Sequence, residues 1–166
     1  MRAQIIIRIA AVLLITWSTN NSFSQTMKTD TMPTLVISHK STISPKVTEA
    51  FDAKFKNEVN TTWYNVDKNY MVKFVTQDQK NAALYNKNGY LVYHIKYGDA
   101  SSLPNDLSNM IYKKYKDCKI TTAIHIEQES RSIWAVDLEY GEYLILARVE
   151  NDQVQEIQRL RNGATK

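Results

Sequence analysis

The stretch ALYNKNGYLVYHIKY (residues 83–97) decides the fold of this chain. Two runs of β-branched and aromatic residues flank Asn88-Gly89, a dipeptide typical of the two-residue type I′ turn of a β-hairpin. This turn fixes a register in which the following residues lie opposite each other: Lys87 and Tyr90, Asn86 and Leu91, Tyr85 and Val92, Leu84 and Tyr93, Ala83 and His94, Ala82 and Ile95. The stretch is therefore predicted to be an antiparallel hairpin.

Residues that lie opposite each other across a hairpin share a face of the sheet. One predicted face is almost wholly apolar and holds Ala82, Leu84, Leu91, Tyr93 and Ile95. The other is mixed and holds Ala83, Tyr85, Lys87, Tyr90, Val92, His94 and Lys96. We expect the apolar face to lie beneath helices and the mixed face to stay open, as a possible display surface.

The hairpin belongs to a pattern that occurs twice. Residues 44–98 begin with a helical spacing of apolar residues and continue as four short runs with a period of two, and residues 102–161 repeat this order. A recurring unit of this length indicates a tandem duplication. The predicted fold class is α+β, with two helix-plus-four-strand antiparallel repeats forming an about eight-stranded sheet and the helices packed on one face.

The ends of the chain are predicted to lie outside this domain (44–161). Residues 1–24 have a charged start, an apolar run and small residues at Ser22 and Ser24, which is typical of a secretory signal peptide cleaved before Gln25. Arg8 leaves only residues 9–17 uninterrupted, too few for a spanning helix, which needs ~20 residues. We expect a flexible leader at 25–43, with an edge strand near Val36 as an option, a short tail at 162–166, no membrane anchor after cleavage, and a periplasmic or secreted protein.

Composition and motifs exclude several function classes. Without Arg2 and Arg8 the chain has 19 basic and 17 acidic residues, a net charge of +2 that argues against nucleic-acid binding. Cys118 has no second cysteine to pair with, and the three histidines lack metal-ligand spacing. Only four glycines occur, in no phosphate-binding pattern, and no hydrolase or metalloprotease motif is present. We therefore predict a protein that is not an enzyme and needs no cofactor or metal.

The order of these motifs resembles the PepSY-like family, also called beta-lactamase-inhibitor-protein-like. The matching residues are Phe55, Val59 with Trp63–Tyr64, Tyr70 to Phe74, Tyr85 with Gly89 and Leu91, Leu103-Pro104, and Lys113 to Tyr115. One departure is Asn151-Asp152, where the first repeat has Asn-Gly. The resemblance covers about residues 44–161 and implies helix-plus-four-strand repeats in exported bacterial proteins, mostly without an established activity. The inhibitors that give the family its name bind a beta-lactamase through the open face of the sheet.

The predicted function is an exported, non-enzymatic module that binds an envelope or extracellular protein, with inhibition as one form of that role. A tyrosine-rich open sheet face suits a protein partner, because tyrosine offers a large rigid contact with a polar tip. The alternative is a periplasmic small-ligand binder or envelope-stress sensor. The candidate partner-binding residues, all expected on the open face, are Lys73, Tyr85, Tyr90, His94, Lys96, His125, Asp137 and Arg148.

Overall fold

The computed structural model describes residues 42–163, together with the backbone of residues 36–38. The predicted signal peptide, most of the leader and the last three residues of the tail lie outside the described residues. The elements are β1 Val36–Ser38, α1 Pro45–Lys54, β2 Val59–Val66, β3 Asn69–Thr76, β4 Gln79–Asn86, β5 Leu91–Gly98, a 3₁₀-helix Ala100–Ser102, α2 Asn105–Lys114, β6 Lys119–Gln128, β7 Arg131–Tyr140, β8 Tyr143–Glu150 and β9 Gln153–Arg161. None of the described helices is long and apolar enough to span a membrane.

The strands form one antiparallel sheet in the order of the sequence, β1 to β9. Its first half (residues 44–98) contributes α1 and β2 to β5, and its second half (residues 102–161) contributes α2 and β6 to β9, so the predicted α+β fold is confirmed. The short edge strand β1 pairs with β2. The two halves join where β5 pairs with β6, with His94 opposite Glu127 and Gly98 opposite Ala123.

Each helix packs on the sheet through a separate apolar core. In the first half, the Phe51 ring is fully buried and lies 5.3 Å from the Trp63 ring and 5.1 Å from the Phe74 ring, measured between centroids. In the second half, the fully buried Ile111 lies in a cluster with Val136. Burying one such side chain stabilises the fold by about 1.5–3 kcal/mol. The pairings of β4, β5 and β6 place both cores on the same face of the sheet, as predicted.

The turn of the opening hairpin differs from the prediction. Gly89 has a φ of +84°, but Asn88 does not have the positive φ that a type I′ turn needs. The Asn86 side chain instead accepts hydrogen bonds from the backbone N–H groups of Asn88 (2.9 Å) and Tyr90 (3.1 Å), which holds a wider loop that ends at the left-handed Gly89. The two-residue turn was therefore the wrong prediction.

The wider loop changes the register only near the turn. Asn86 pairs with Tyr90 and Tyr85 pairs with Leu91, so the predicted pairs of Lys87, Asn86 and Tyr85 are wrong. A bulge at Val92 then restores the predicted register. The confirmed pairs are Leu84 with Tyr93, Ala83 with His94 and Ala82 with Ile95.

Away from the turn, the two faces of the hairpin are exchanged relative to the prediction, whereas Leu91 packs on the helix side as predicted. Tyr85 is 1% exposed and lies in the core beneath α1, and Ala83 is on the same side. Ala82, Leu84 and Ile95 lie on the face opposite the helices, where they are also buried. Because both faces of β4 are buried, the apolar alternation did not distinguish them.

Candidate functional site

The face of the sheet opposite the helices, called here the open face, has an apolar floor in its centre. Its floor residues are Leu84, Ile95, Ile124, Ile126, Ile133 and Ala135. Each of these side chains is less than 9% exposed, so the centre of the open face offers little accessible surface.

Three of the sequence-predicted residues lie on the open face. Lys73 is exposed, and its Nζ lies 5.0 Å from the centre of the Tyr64 ring. Arg148 donates to Gln155 Oε1 at 2.7 Å. Asp137 pairs with Leu146 across β7 and β8, and burial raises the pKa of its carboxyl group. These positions follow from alternation with the helix-facing residues Val72, Val136 and Ala147.

The end of the open face formed by β8 and β9 exposes an apolar pair. Leu144 is 41% exposed and lies directly opposite Leu160, which is 52% exposed. Glu139 pairs with Leu144 across β7 and β8, and it also forms an ion pair of 3.4 Å with Lys119. This end of the open face therefore presents accessible apolar surface beside charged side chains.

The helix side of the sheet has a polar strip between the two cores, where β5 meets β6. It consists of His94, Lys96, His125 and Glu127 and is called here the seam. Glu127 accepts a hydrogen bond from Lys96 Nζ at 2.8 Å, and its other carboxylate oxygen lies 3.2 Å from His94 Nδ1. Burial opposes ionisation of Glu127, but the hydrogen bonds from Lys96 and His94 outweigh it and lower the pKa of Glu127 to about 2.

His125 forms the outer part of the seam. Its ring stacks on the Trp134 indole, with the centroids 4.5 Å apart and the planes inclined by 12°. Its Nε2 lies 2.8 Å from Ser132 Oγ. Burial lowers the pKa of His125, although the Glu127 carboxylate acts in the opposite direction.

The remaining sequence-predicted residues are therefore not on the open face. Tyr85 and His94 are buried beneath α1, and Lys96 and His125 lie on the helix side in the seam. Tyr90 lies in the hairpin loop and is 55% exposed. The physical reason is that α1 covers the face of β4 and β5 that carries Ala83 and Tyr85, and the strand pairing places His94, Lys96 and His125 on this same face.

A cleft of about 580 Å³ opens at one end of the seam, between the end of α1 and the β6–β7 turn. The first half contributes Lys54, Tyr90 and Leu91, and the second half contributes Glu127 and Arg131. The lining mixes charged, hydroxyl and apolar groups. This composition allows hydrogen bonding to a small polar molecule but gives it little apolar enclosure.

The described residues offer no arrangement that resembles a catalytic or metal centre. Within residues 42–163, no three His, Cys, Asp or Glu side chains are placed to bind a metal ion. The Cys118 thiol is buried, and burial raises its pKa, which keeps it protonated and unreactive.

Two groups of residues in these sites were not predicted from the sequence. Asn81 and Glu127 complete the seam network, yet 33 residues separate His94 from Glu127 and no turn links their strands. A polar residue before the apolar run Ala82 to Leu84 was the signal for Asn81. The exposure of Leu144 and Leu160 depends on their position at the edge of the sheet, which alternation alone does not reveal.

Comparison with solved structures places this architecture among known proteins, although no family model and no curated protein match the sequence. A BLIP-like protein from Bacteroides fragilis superposes with a TM-score of 0.61 at 13% identity, covering 75% of this chain and 91% of that one. A DUF2874 family protein from Bacteroides uniformis gives 0.58 at 12% identity, over 74% and 91%.

A third protein, from Bacteroides eggerthii and proposed to be periplasmic, gives a TM-score of 0.59 at 10% identity, over 72% of this chain and 88% of that one. At these identities the likeness concerns the fold. The resemblance in the order of motifs and the superposition agree, and the chain has the fold of the BLIP-like and DUF2874 proteins of Bacteroides.

Proposed function

We propose that this protein is an exported, non-enzymatic module that binds another protein of the envelope or the extracellular space through the open face of its sheet. The observation that carries the proposal is the exposed pair Leu144 and Leu160 on that face. Exposed apolar side chains that lie together and are flanked by charges are typical of interaction sites. The location is supported by the apolar segment at the start of the sequence and by the likeness to a protein proposed to be periplasmic.

Three sequence-predicted residues remain part of this proposal. Lys73, Asp137 and Arg148 lie on the open face, where they would surround the apolar floor and contact the outer parts of a partner. Charged groups at the rim of an interface set the rate and orientation of association more than its affinity. The apolar pair at the end of the face would supply most of the binding free energy.

The experiment that tests this proposal compares how much of a partner is captured when the open face or the helix side is altered. The mature protein and two variants would be used as bait in quantitative capture from an envelope extract of the source bacterium. One variant is the double substitution Leu144→Lys and Leu160→Lys. The control is Tyr112→Lys, because Tyr112 has a similar exposure of 44% but lies on α2.

The proposal predicts a protein that the wild type and the Tyr112 variant retain and the double variant loses. With the purified partner, the affinity should fall by roughly 10- to 100-fold for each anchor removed, equivalent to about 1–3 kcal/mol. If the double variant retains the partner and the Tyr112 variant loses it, the helix side binds and the proposal is wrong. Titration of a captured enzyme with the protein would then show whether binding inhibits it.

The alternative, a small-ligand binder or envelope-stress sensor, rests on a different observation. The cleft beside the seam has a volume within the usual range of ligand sites, ~300–1,000 Å³. A thermal-shift screen of small polar molecules would test it. A ligand whose stabilisation is abolished by Lys54→Ala and retained in the Leu144 and Leu160 double variant would favour this alternative.

A further inference from the structure

The last strand of the sheet, β9, has an outer edge that is covered over only part of its length. Among the described residues, β9 pairs with β8 and with no strand on its other side. Lys114 on α2 donates from Nζ to the Val154 carbonyl oxygen at 2.6 Å. Beside it, the Tyr115 hydroxyl donates to the Glu156 carboxylate at 2.9 Å, so α2 lies against the first part of the strand. Residues 158–161 follow, and all four are exposed.

The register fixes the direction of the backbone groups at this edge. In an antiparallel ladder, residues whose N–H and C=O groups point toward the partner strand alternate with residues whose groups point away from it. The Asn162 N–H donates to the Glu142 carbonyl oxygen at 2.7 Å, so Asn162 points toward β8. By alternation, Leu160 also points its backbone groups toward β8, whereas Arg159 and Arg161 point theirs outward. The edge therefore presents two N–H donors and two C=O acceptors.

The side chains of these two arginines leave the edge accessible. Both lie on the helix side, where the Arg159 guanidinium lies 5.1 Å from the centre of the Tyr143 ring. Arg159 also donates two hydrogen bonds of 2.9 Å to the Glu156 carboxylate. Arg161 donates to Glu142 at 2.9 Å. The contacts with Tyr143 and Glu142 direct both side chains back toward β8, away from the outer edge.

The chain already contains a junction in which the last strand of one half accepts a further strand. The strand β5 ends the first half, and its outer side pairs with β6, the first strand of the second half. The strand β9 ends the second half and holds the corresponding place in the strand order, but no described strand follows it. Unpaired backbone groups at the edge of a sheet are a template for an added strand.

We propose that residues 158–161 accept an extended segment of the partner protein as an additional antiparallel strand, which forms hydrogen bonds with the outward backbone groups of Arg159 and Arg161. This inference rests on the proposed function, because Leu160 is one of its two apolar anchors. The residue of the added strand opposite Leu160 lies in a non-hydrogen-bonded pair, in which the side chains approach most closely. An apolar side chain at that position covers Leu160, which is 52% exposed in the free protein.

Charge selects the kind of segment that this edge accepts. The residues on either side of the apolar one lie opposite Arg159 and Arg161, where acidic side chains are favoured. A second copy of this chain is disfavoured, because a two-fold pairing centred on Leu160 places Arg159 opposite Arg161 of the other copy. Centring the pairing on either arginine places that arginine opposite itself, and like charges directly opposite each other are destabilising. The expected segment has an apolar residue between two acidic ones.

The test uses a capped heptapeptide of alternating glutamate and valine as the probe, and a heptapeptide of alternating lysine and valine as the charge control. The isotope-labelled mature protein is titrated with each peptide and followed by nuclear magnetic resonance. In the free protein, the amides of Arg159 and Arg161 should exchange with solvent faster than that of Leu160. The glutamate peptide should shift and protect these two amides and leave those of α2 unchanged. The lysine peptide should bind roughly 10-fold more weakly.

Proline variants separate the backbone of the edge from its side chains. Arg159→Pro removes the outward N–H, a change that an edge strand tolerates where the N–H faces solvent. Arg159→Ala removes the same side chain but keeps the N–H. The proline variant should bind the glutamate peptide roughly 10-fold more weakly than the alanine variant. If Arg159→Pro does not fold, Arg161→Pro and Arg161→Ala give the same comparison at the end of the strand.

Three results would overturn strand addition at this edge. They are slow exchange of the Arg159 and Arg161 amides in the free protein, equal binding by the proline and alanine variants, and no shift in β9 at roughly 10 mM glutamate peptide, a concentration that detects very weak binding. The proposed function can fail or hold separately. A captured partner that is lost by the Leu144 and Leu160 double variant but retained by Arg159→Pro would leave the open face as the site and exclude the edge.

Discussion

Replacement of Tyr85 by alanine should destabilise the protein far more than the same change at Tyr90. Tyr85 is 1% exposed, and its ring packs edge-on against Phe51 with the centroids 6.4 Å apart, whereas Tyr90 is 55% exposed in the loop. Removal of a buried aromatic ring costs about 3–5 kcal/mol, and part of this is the lost ring pair. A surface change stays within about 0.5 kcal/mol. The two tyrosines thus form a matched pair, five residues apart.

A third variant isolates the hydroxyl group of Tyr85. Among the described residues this hydroxyl has no hydrogen-bond partner, and burial raises its pKa well above the usual value. A buried polar group without a partner costs about 1–3 kcal/mol, so Tyr85→Phe should leave the free energy of unfolding unchanged or raise it by about 1 kcal/mol.

Urea unfolding at pH 7 measures all three variants, provided that the dependence of the free energy on urea stays constant. Small domains have a total stability of about 5–15 kcal/mol, so a loss of this size should lower the urea concentration at which half of the Tyr85→Ala protein is unfolded by a large fraction. The reasoning fails if Tyr85→Ala costs no more than Tyr90→Ala, since Tyr85 would then lie outside the core. It also fails if Tyr85→Phe costs as much as the alanine variant.

Two further changes are expected to have opposite effects on stability. Gly89→Ala should lower the free energy of unfolding by roughly 1–3 kcal/mol in urea, because Gly89 has a positive φ and an added Cβ would lie 2.6 Å from the Lys46 carbonyl oxygen. Gly141→Ala, also at positive φ but with nothing within 4 Å, should cost less. Asp137→Asn should raise the stability at pH 7 by about 1 kcal/mol or less, since burial raises the pKa of Asp137 and its neutral form is favoured in the folded state. Thermal unfolding should show this gain shrinking as the pH falls below the raised pKa, where Asp137 is neutral in the wild type too; a gain that is equal at pH 7 and pH 3 would contradict it.

The secondary structure and the strand order could be predicted because they depend on local patterns. Pro45 opens the first predicted helix and the apolar spacing of Val47 and Phe51 marks its buried side, and all three positions agree with α1. The type of turn could not be predicted from Asn88-Gly89, because the Asn86 side chain stabilises a competing loop. Local sequence thus determined the elements, while one side-chain hydrogen-bond pair determined the register beside the turn.

The candidate site was predictable only where alternation was clear. In β7, the apolar and charged residues alternate, and Asp137 was assigned correctly to the open face between Val136 and Leu138. In β4, all residues from Asn81 to Tyr85 are buried, so burial gives no period of two. The face of the hairpin then depends on which side α1 covers, a contact between residues distant in the sequence.

The seam follows from the dimensions of the two layers. Nine strands about 4.8 Å apart make a sheet about 38 Å wide, whereas each ten-residue helix is about 15 Å long and 10 Å wide. Two such helices cannot cover the whole face, and a strip over β5 and β6 stays between their cores. Lys96 and Glu127 are partly exposed to water in this strip, and the buried His94 contacts Glu127 and Asn81, so polar side chains occur there in place of apolar ones. Neither helix packs on the opposite face, so this fold has two separate surfaces that substitutions can distinguish, one at the seam and one at Leu144 and Leu160.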